Sequence, residues 1–101
     1  IADVIKEVVK RLKHLESGLL GDVAFRDYVA SALFEIALLK GEYLNVDPRE
    51  IMYVAFPGGD QMIAWLRNGV KISVLKNVAG TDYEIIVESI HSASCDCSCS
   101  A

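Results

Sequence analysis

Residues 62–76 read MIAWLRNGVKISVLK, and this stretch decides the fold. Its centre, Asn68-Gly69, is the dipeptide favoured in two-residue hairpin turns, because both central residues of a type I′ turn need a positive φ. The flanking runs, residues 62–67 and 70–76, are short and rich in apolar and β-branched side chains, as strands are. The sequence therefore predicts a β-hairpin.

A two-residue turn at Asn68-Gly69 also predicts the register of this hairpin. One face is then apolar and the other is mixed, because strand side chains alternate between the two faces. The predicted pairs are Trp65 with Ile72 and Ile63 with Val74 on the apolar face, and Leu66 with Lys71 and Ala64 with Ser73 on the mixed face.

Two more strands are predicted on either side of the hairpin. Residues 51–56, IMYVAF, form a β-favouring run that Pro57-Gly58-Gly59 closes. The preceding Asp47-Pro48-Arg49-Glu50 has the cap, proline and glutamate of a helix start, which predicts one helical turn before this strand. After a turn at 79–82, residues 83–90 alternate an apolar side, Tyr83, Ile85 and Val87, with a mixed side, Glu84, Ile86 and Glu88, which predicts the last strand.

The middle of the chain also has an alternative interpretation. Asp60 could cap a short helix that Gly69 ends, so that residues 61–68 would be helical rather than extended. The loop 57–60, PGGD, would then lie at the carboxyl end of a strand, where ligands often bind. It lacks the Lys-Ser/Thr of a phosphate loop and the third glycine of a dinucleotide loop, so the hairpin is favoured.

Upstream of these strands the chain predicts two helices. In residues 1–20 the apolar side chains recur every three or four positions, which is typical of one helical face. In residues 23–40, which Gly41 ends, apolar side chains occupy more than one face, so this helix should be covered on two sides. Helices followed by strands define an α+β domain, with two N-terminal helices packed on an antiparallel sheet of three or four strands.

The composition predicts one domain, residues 1–90, followed by a Cys/Ser-rich tail, residues 91–101. The chain has 101 residues, 52% of them apolar, with a mean hydropathy of +0.32. That is more apolar surface than one small core hides. A homo-oligomer is therefore expected, formed through the second helix or the outer face of the sheet.

Charge and cysteine usage exclude several other classes of protein. The net charge of −4 and the absence of a strong basic stripe argue against nucleic-acid binding. No apolar run approaches the roughly 18–20 residues that span a membrane, and no signal peptide is recognisable. Three cysteines within five residues cannot form a conventional disulfide framework, which predicts a reducing, cytoplasmic setting.

No catalytic constellation is visible in the sequence, and we expect no enzymatic activity. The cysteines have only His91 as a neighbouring base, and no serine lies in a nucleophile-elbow motif. His14 lies among charged residues on the outward side of the first predicted helix, which is typical of an ordinary surface histidine.

The chemistry-bearing segment is the tail, HSASCDCSCSA, which contains all three cysteines of the chain. In an extended conformation Cys95, Cys97 and Cys99 share one face, because strand side chains repeat every two residues. No large apolar side chain lies within the tail. It is therefore predicted to be an appendage of the domain rather than a part of its core.

The tail resembles the product segment of thiopeptide and related azole-containing peptide precursors. The pieces that carry the resemblance are Ser92-Ala93-Ser94-Cys95 and Cys97-Ser98-Cys99-Ser100. The resemblance implies that partner enzymes cyclise or dehydrate these side chains, and that residues 1–90 act as a folded leader on which those enzymes dock. The implied modification sites are Ser94, Cys95, Cys97, Ser98, Cys99 and Ser100. Asp96 and the folded leader depart from the usual pattern of such precursors.

Two further hypotheses for the tail stay open. The Cys-x-Cys-x-Cys spacing of Cys95, Cys97 and Cys99 suits Cu(I), or three of the four ligands of Zn(II), with His91 or Asp96 as a possible fourth. The known structural zinc sites use two separated pairs of ligands, and this chain has only one group. Alternatively, the tail is incidental and the protein is an oligomeric interaction domain that needs no cofactor.

Overall fold

The computed structural model describes residues 1–18 and 22–89, and it confirms the α+β class. Two helices precede a 3-10 turn and four strands. Their bounds are α1 Ala2–Glu16, α2 Asp22–Leu39, the 3-10 turn Pro48–Glu50, β1 Ile51–Ala55, β2 Met62–Leu66, β3 Val70–Lys76 and β4 Tyr83–Ser89. The predicted elements are thus present, with small differences at their ends, and Leu19, Leu20 and Ile90 lie outside the described residues.

The four strands form one antiparallel sheet in the order β1-β2-β3-β4. Each strand therefore pairs with its neighbour in sequence, as expected for strands joined by short turns. Helices α1 and α2 contact each other and share one hydrophobic core with a single face of the sheet. The fully buried members of this core with the largest side chains are Ile5, Leu33, Ile36, Ile51, Met62 and Ile72.

Helix α2 ends where the sequence predicts, at a glycine with a left-handed conformation. Gly41 has a φ of 77°, which an L-side chain adopts only with strain. The N–H of Glu42 donates to the carbonyl of Ala37 at 2.8 Å and the N–H of Gly41 to that of Leu38 at 3.0 Å. This pair of hydrogen bonds is a Schellman motif, which satisfies the last carbonyls of the helix.

The chain after Gly41 covers part of the second apolar side of α2. The ring of Tyr43 packs edge-on against Phe34, with 5.6 Å between the ring centroids, and Val46 is buried in the core. The outward side of α2 carries polar residues such as Asp27 and Glu35 among a few apolar ones. The predicted two-sided covering of this helix is therefore supplied largely from within the chain.

The hairpin is present, but its predicted turn type and register are wrong. Gly69 has a φ of 88°, whereas no residue other than glycine has a positive φ in the described chain, so Asn68 does not meet the type I′ requirement. Arg67 joins Asn68 and Gly69 in a three-residue turn, in which the N–H of Gly69 donates to the carbonyl of Leu66 at 3.1 Å. This is the common alternative of a type I turn followed by a left-handed residue.

The longer turn shifts the pairing by one residue, which exchanges the two faces of β2. The observed partners are Met62 with Val74, Ile63 with Ser73, Ala64 with Ile72 and Trp65 with Lys71. Met62, Ala64 and Leu66 consequently face the core, and Ile63 and Trp65 lie on the outer face, where they are only partly buried. The side of β2 predicted to lie on the mixed face is therefore the buried one, whereas Ile72 and Val74 of β3 face the core as predicted.

The first strand confirms the predicted turn before it and excludes the alternative for the middle of the chain. The Asp47 carboxylate accepts a hydrogen bond from the N–H of Arg49 at 2.9 Å, which caps the 3-10 turn. Residues 62–66 are a strand that pairs with β1 and β3. The helical interpretation of residues 61–68 is therefore wrong. A bulge at Met52 interrupts the pairing between β1 and β2.

Candidate functional site

The predicted modification and metal-binding residues lie outside the described residues. This applies to His91, Ser94, Cys95, Cys97, Ser98, Cys99 and Ser100, and to residues 91–101 as a predicted tail. What the structure does describe is the strand from which that segment continues, since β4 ends at Ser89. The candidate site is therefore built from β4 and the surfaces next to it.

Strand β4 is an edge strand of the sheet. All seven of its residues pair with β3, from Lys76 opposite Tyr83 to Val70 opposite Ser89, and no other strand of the described chain pairs with its second edge. Tyr83 is buried, but Ile86 and Val87 are 37% and 53% exposed. The second half of β4 is thus accessible from both faces of the sheet.

The hydrogen bonds at the start of β4 show which backbone groups point outward. The N–H of Asn77 donates to the carbonyl of Asp82 at 2.9 Å, so this opposed pair, next to the ends of β3 and β4, is of the hydrogen-bonded kind. Antiparallel pairs alternate between bonded and non-bonded. The backbone groups of Glu84, Ile86 and Glu88 therefore face β3, and those of Ile85 and Val87 point away from the sheet.

The Asp82 side chain bonds to the first outward-facing backbone N–H of this edge. Its Oδ1 accepts the outward N–H of Tyr83 at 2.8 Å, and its Oδ2 lies 2.7 Å from the Nζ of Lys40 at the end of α2. Both contacts lower the pKa of the Asp82 carboxyl, the Lys40 contact more strongly. The open part of the edge consequently begins after Tyr83.

A polar cleft lies at this same end of the sheet. It has a volume of about 150 Å³, and Asp60, Lys76 and Tyr83 are among the residues that line it. The Asp60 carboxylate is only 12% exposed and lies 2.9 Å from the Lys76 Nζ. The N–H of Lys76 donates to the side-chain oxygen of Gln61 at 2.9 Å, which holds the start of β2 against the end of β3.

The hydroxyl of Tyr83 is the unusual group in this cleft. The side chain is buried, and its hydroxyl makes no hydrogen bond of good geometry with any described residue. Burial, and next the nearby Asp60 carboxylate, raise the pKa of this hydroxyl, so it stays protonated. A buried donor without a well-formed hydrogen bond is destabilising, and the Asp60 carboxylate is the nearby acceptor.

The Asp60–Lys76 pair should make stability depend on acid. The hydrogen bond from Lys76 lowers the pKa of the Asp60 carboxyl, against the opposing effect of burial. A carboxyl whose folded-state pKa is lowered stabilises the fold above its unfolded pKa of about 4, and this contribution is lost as the pH falls below that value. We expect Asp60→Asn to have a smaller difference in urea midpoint between pH 7 and pH 3 than the wild type.

The matched control for this prediction is Asp27→Asn, because Asp27 is exposed on α2. That variant should keep the acid dependence of the wild type. Equal pH dependence in the wild type and Asp60→Asn would show that the Asp60–Lys76 pair does not contribute to the acid sensitivity of the fold.

The outer face of the sheet carries an aromatic pair. Tyr53 on β1 and Trp65 on β2 are directly opposite each other, and their ring centroids are 5.2 Å apart. Ile63 and Leu75 extend this surface across the sheet as partly buried side chains. Both helices pack on the opposite face of the sheet, so this face presents a continuous aromatic and aliphatic surface to a partner.

Self-association is therefore expected through the outer sheet face rather than through α2. Tyr53→Glu should shift the concentration at which the protein dimerises upward by at least tenfold in light scattering, because a charge would be buried without a partner. Tyr28→Glu is the control on α2, since Tyr28 and Tyr53 are 49% and 60% exposed. A wild type that stays monomeric at tens of micromolar, or a larger effect of Tyr28→Glu, would contradict this prediction.

The described residues contain no group of three or more His, Cys, Asp or Glu side chains arranged to hold a metal ion. His14 is exposed on α1, as the sequence indicates.

In the part of the chain that the structure describes, no helix has the length and apolar character needed to cross a membrane.

The cluster of Asp60, Lys76 and Tyr83 was missed by the sequence analysis. The sequence predicts for Asp60 only the role of capping a helix, and that helix does not form. The predicted antiparallel order of the strands does imply that Asp60, Lys76 and Tyr83 lie close together. It brings the start of β2, the end of β3 and the start of β4 to one end of the sheet. That Asp60 is buried there could not be inferred from the sequence, since charged residues are mostly exposed.

Comparison of the chain with protein-family models, with curated proteins and with solved structures finds no match.

Proposed function

We propose that this protein is the non-enzymatic precursor of a ribosomally made peptide, in which residues 91–101 are modified and the α+β domain is a folded leader. The observation that carries the proposal is the position of the Cys/Ser segment, which follows directly from an exposed edge strand of a domain with its own core. The partners are then modifying enzymes that recognise the domain and act on the segment.

The side chains of the segment suit cyclodehydration. The Sγ of a cysteine attacks the carbonyl carbon of the preceding residue, and a C–S bond forms. The carbonyl oxygen leaves as water with the thiol and amide hydrogens, and the amide becomes a C=N bond in a five-membered ring. Cys95, Cys97 and Cys99 alternate with other residues, so each can form its own ring. A serine can instead lose water to give a dehydroalanine.

The modifying enzymes must supply what this chain lacks. They activate the carbonyl for loss of its oxygen, and an oxidising partner would remove two further hydrogens where a ring becomes aromatic. The leader contributes binding, which raises the local concentration of the segment at the enzyme. This division of labour agrees with a domain in which we recognise no catalytic constellation.

The deciding experiment is the intact mass of the protein isolated from its own cells. Each ring or dehydrated serine lowers the mass by about 18–20 Da, and fragmentation should place the losses at Ser94, Cys95, Cys97, Ser98, Cys99 or Ser100. The control is the same chain made in a host without the modifying enzymes, which should have the mass of the unmodified sequence. An unmodified mass from the native cells would contradict the proposal.

The same measurement separates the two other hypotheses for the segment. An unmodified chain whose native mass increases by one metal ion on addition of Cu(I) or Zn(II) would indicate a site formed by Cys95, Cys97, Cys99 and His91. An unmodified chain that takes up no metal would leave an oligomeric interaction domain with an incidental tail. A cytoplasmic location is part of the proposal, because free thiols persist in a reducing compartment.

A further inference from the structure

We infer that the modifying enzyme docks on the open edge of β4 by adding a basic strand to the sheet there. This inference rests on the proposed function and names the surface that serves it. An edge strand presents unpaired backbone groups, which are a template for another strand. The edge is continuous from Glu84 to Glu88, without proline, glycine or a bulge.

Only part of the edge is available to form hydrogen bonds with a partner strand. The N–H of Tyr83 is already bonded to Asp82. The alternation that follows leaves the N–H and carbonyl groups of Ile85 and Val87 pointing outward. An added strand would therefore bond to the backbone of these two residues, in the half of β4 that is exposed on both faces of the sheet.

The side chains of this edge specify the charge of the partner. On the outer face, β4 presents Glu84, Ile86 and Glu88, all exposed. Among the residues that the structure describes, Glu88 has an ion-pair partner, the Lys71 Nζ at 3.6 Å, and Glu84 has none. Directly opposed charges of opposite sign stabilise a strand pair, and like charges destabilise it. The complementary strand has lysine or arginine opposite both glutamates and an apolar residue opposite Ile86.

The same charges argue against a second copy of this chain as the occupant. If two β4 strands paired antiparallel over the full open stretch, Ile86 would lie opposite its own copy. Glu84 would then lie opposite Glu88 of the second copy, and this repulsive pair would occur twice. Flanking charges of this kind are a common protection against edge-to-edge association. A different, basic partner is therefore favoured.

The distance to the modified residues also fits this edge. An extended chain spans at most about 3.3–3.6 Å per residue, so Ser94 lies within roughly 18 Å of Ser89 and Ser100 within roughly 40 Å. An enzyme held on β4 thus has every proposed modification site within roughly 40 Å of the docking edge. Binding at this edge would present the segment without long linkers.

The test uses the full chain, expressed in its own cells and analysed by intact mass. Val87→Pro removes one outward N–H without removing a bond to β3, and proline is tolerated on an edge strand. We expect the modified fraction to fall about tenfold, the effect of losing one hydrogen bond and part of its strand pairing. Val78→Pro is the matched control, because Val78 is exposed outside β4 at the second position of the turn 77–80, where proline is tolerated, and it should be modified like the wild type.

Charge reversal provides the second variant. Glu84→Lys with Glu88→Lys should lower modification at least as strongly as Val87→Pro. The double variant Glu35→Lys with Glu42→Lys makes the same change in net charge at exposed positions away from β4, and should be modified normally. Thermal melting of all the variants identifies any that fail to fold, and the comparison of the two charge variants does not depend on the proline substitution.

The outcomes separate the docking edge from the proposed function. A modified wild type with reduced modification in both β4 variants supports the inference. A modified wild type whose folded β4 variants are modified equally would overturn the docking edge and leave the precursor function intact. An unmodified wild type would overturn both.

Discussion

Leu33→Ala should lower the free energy of unfolding by about 2–5 kcal/mol, as other leucine truncations in packed cores do. Leu33 is fully buried at the centre of α2, in the core shared by both helices and the sheet. The truncation removes apolar contacts and leaves a cavity that the two layers cannot fully close. Urea or thermal unfolding followed by circular dichroism measures the loss.

The control is Leu38→Ala, the same substitution in the same helix at a side chain that is 53% exposed. Its effect on stability should stay within about 1 kcal/mol, since little buried surface is lost. A comparable loss in both variants would mean that α2 is not packed as described.

This pair of variants also tests whether the leader works as a folded domain. Domains of this size are stable by only about 5–15 kcal/mol, so Leu33→Ala should populate the unfolded chain at moderately raised temperature. Modification of residues 91–101 should then fall in Leu33→Ala and persist in Leu38→Ala. Full modification of an unfolded Leu33→Ala chain would show that the enzymes recognise a linear stretch instead, and the folded-leader part of the proposal would be wrong.

Replacing Cys95, Cys97 and Cys99 together by alanine should remove every thiol-derived mass loss and leave the melting temperature nearly unchanged. The two results are expected together, because the substitutions remove the attacking sulfur atoms but no large apolar side chain. Truncation after Ile90 should be equally silent for folding. Mass spectrometry and a thermal melt of the same samples measure both quantities.

A fall of several degrees in the melting temperature of the metal-free triple variant would contradict this prediction. It would mean that the thiols are packed or bonded within the fold, and both the precursor and the metal hypotheses would lose their basis. A truncated chain that kept the full activity of the protein would identify the tail as incidental.

The sequence predicts most of the fold because its local signals agree with one another. The helical periodicity before Gly41 and the turn at Asn68-Gly69 each act over a few residues, and each has a physical cause that needs no distant contact. The element types and their order follow from such signals. They do not depend on how the layers pack.

The register was beyond these signals for a specific reason. Both faces of β2 are apolar, with Met62, Ala64 and Leu66 on one and Ile63 and Trp65 on the other, so the pattern does not say which face is buried. The register follows from Arg67, which is part of the turn rather than the last residue of β2. In the structure the N–H of Arg67 donates to the carbonyl of Glu50 at 2.8 Å, a contact between residues distant in sequence that no local pattern predicts.

The candidate site likewise has one part that the sequence predicts and one part that it does not. The Cys/Ser segment is recognisable from the sequence because its chemistry depends on residue types and their spacing. The open edge of β4 depends on strand order, on the alternation of hydrogen bonds and on the side chain of Asp82 closing the first position. These are properties of the assembled sheet, so no local stretch of the sequence predicts them.

The sequential order of the strands affects how fast the domain folds. Because each strand pairs with its neighbour along the chain, few contacts must wait for distant segments to meet, and mixed domains of this kind fold in times on the order of milliseconds. Typical enzymes complete about ten turnovers per second. The domain should therefore refold many times faster than one modification is made, so even a briefly opened leader would present its docking strand again within a single catalytic cycle.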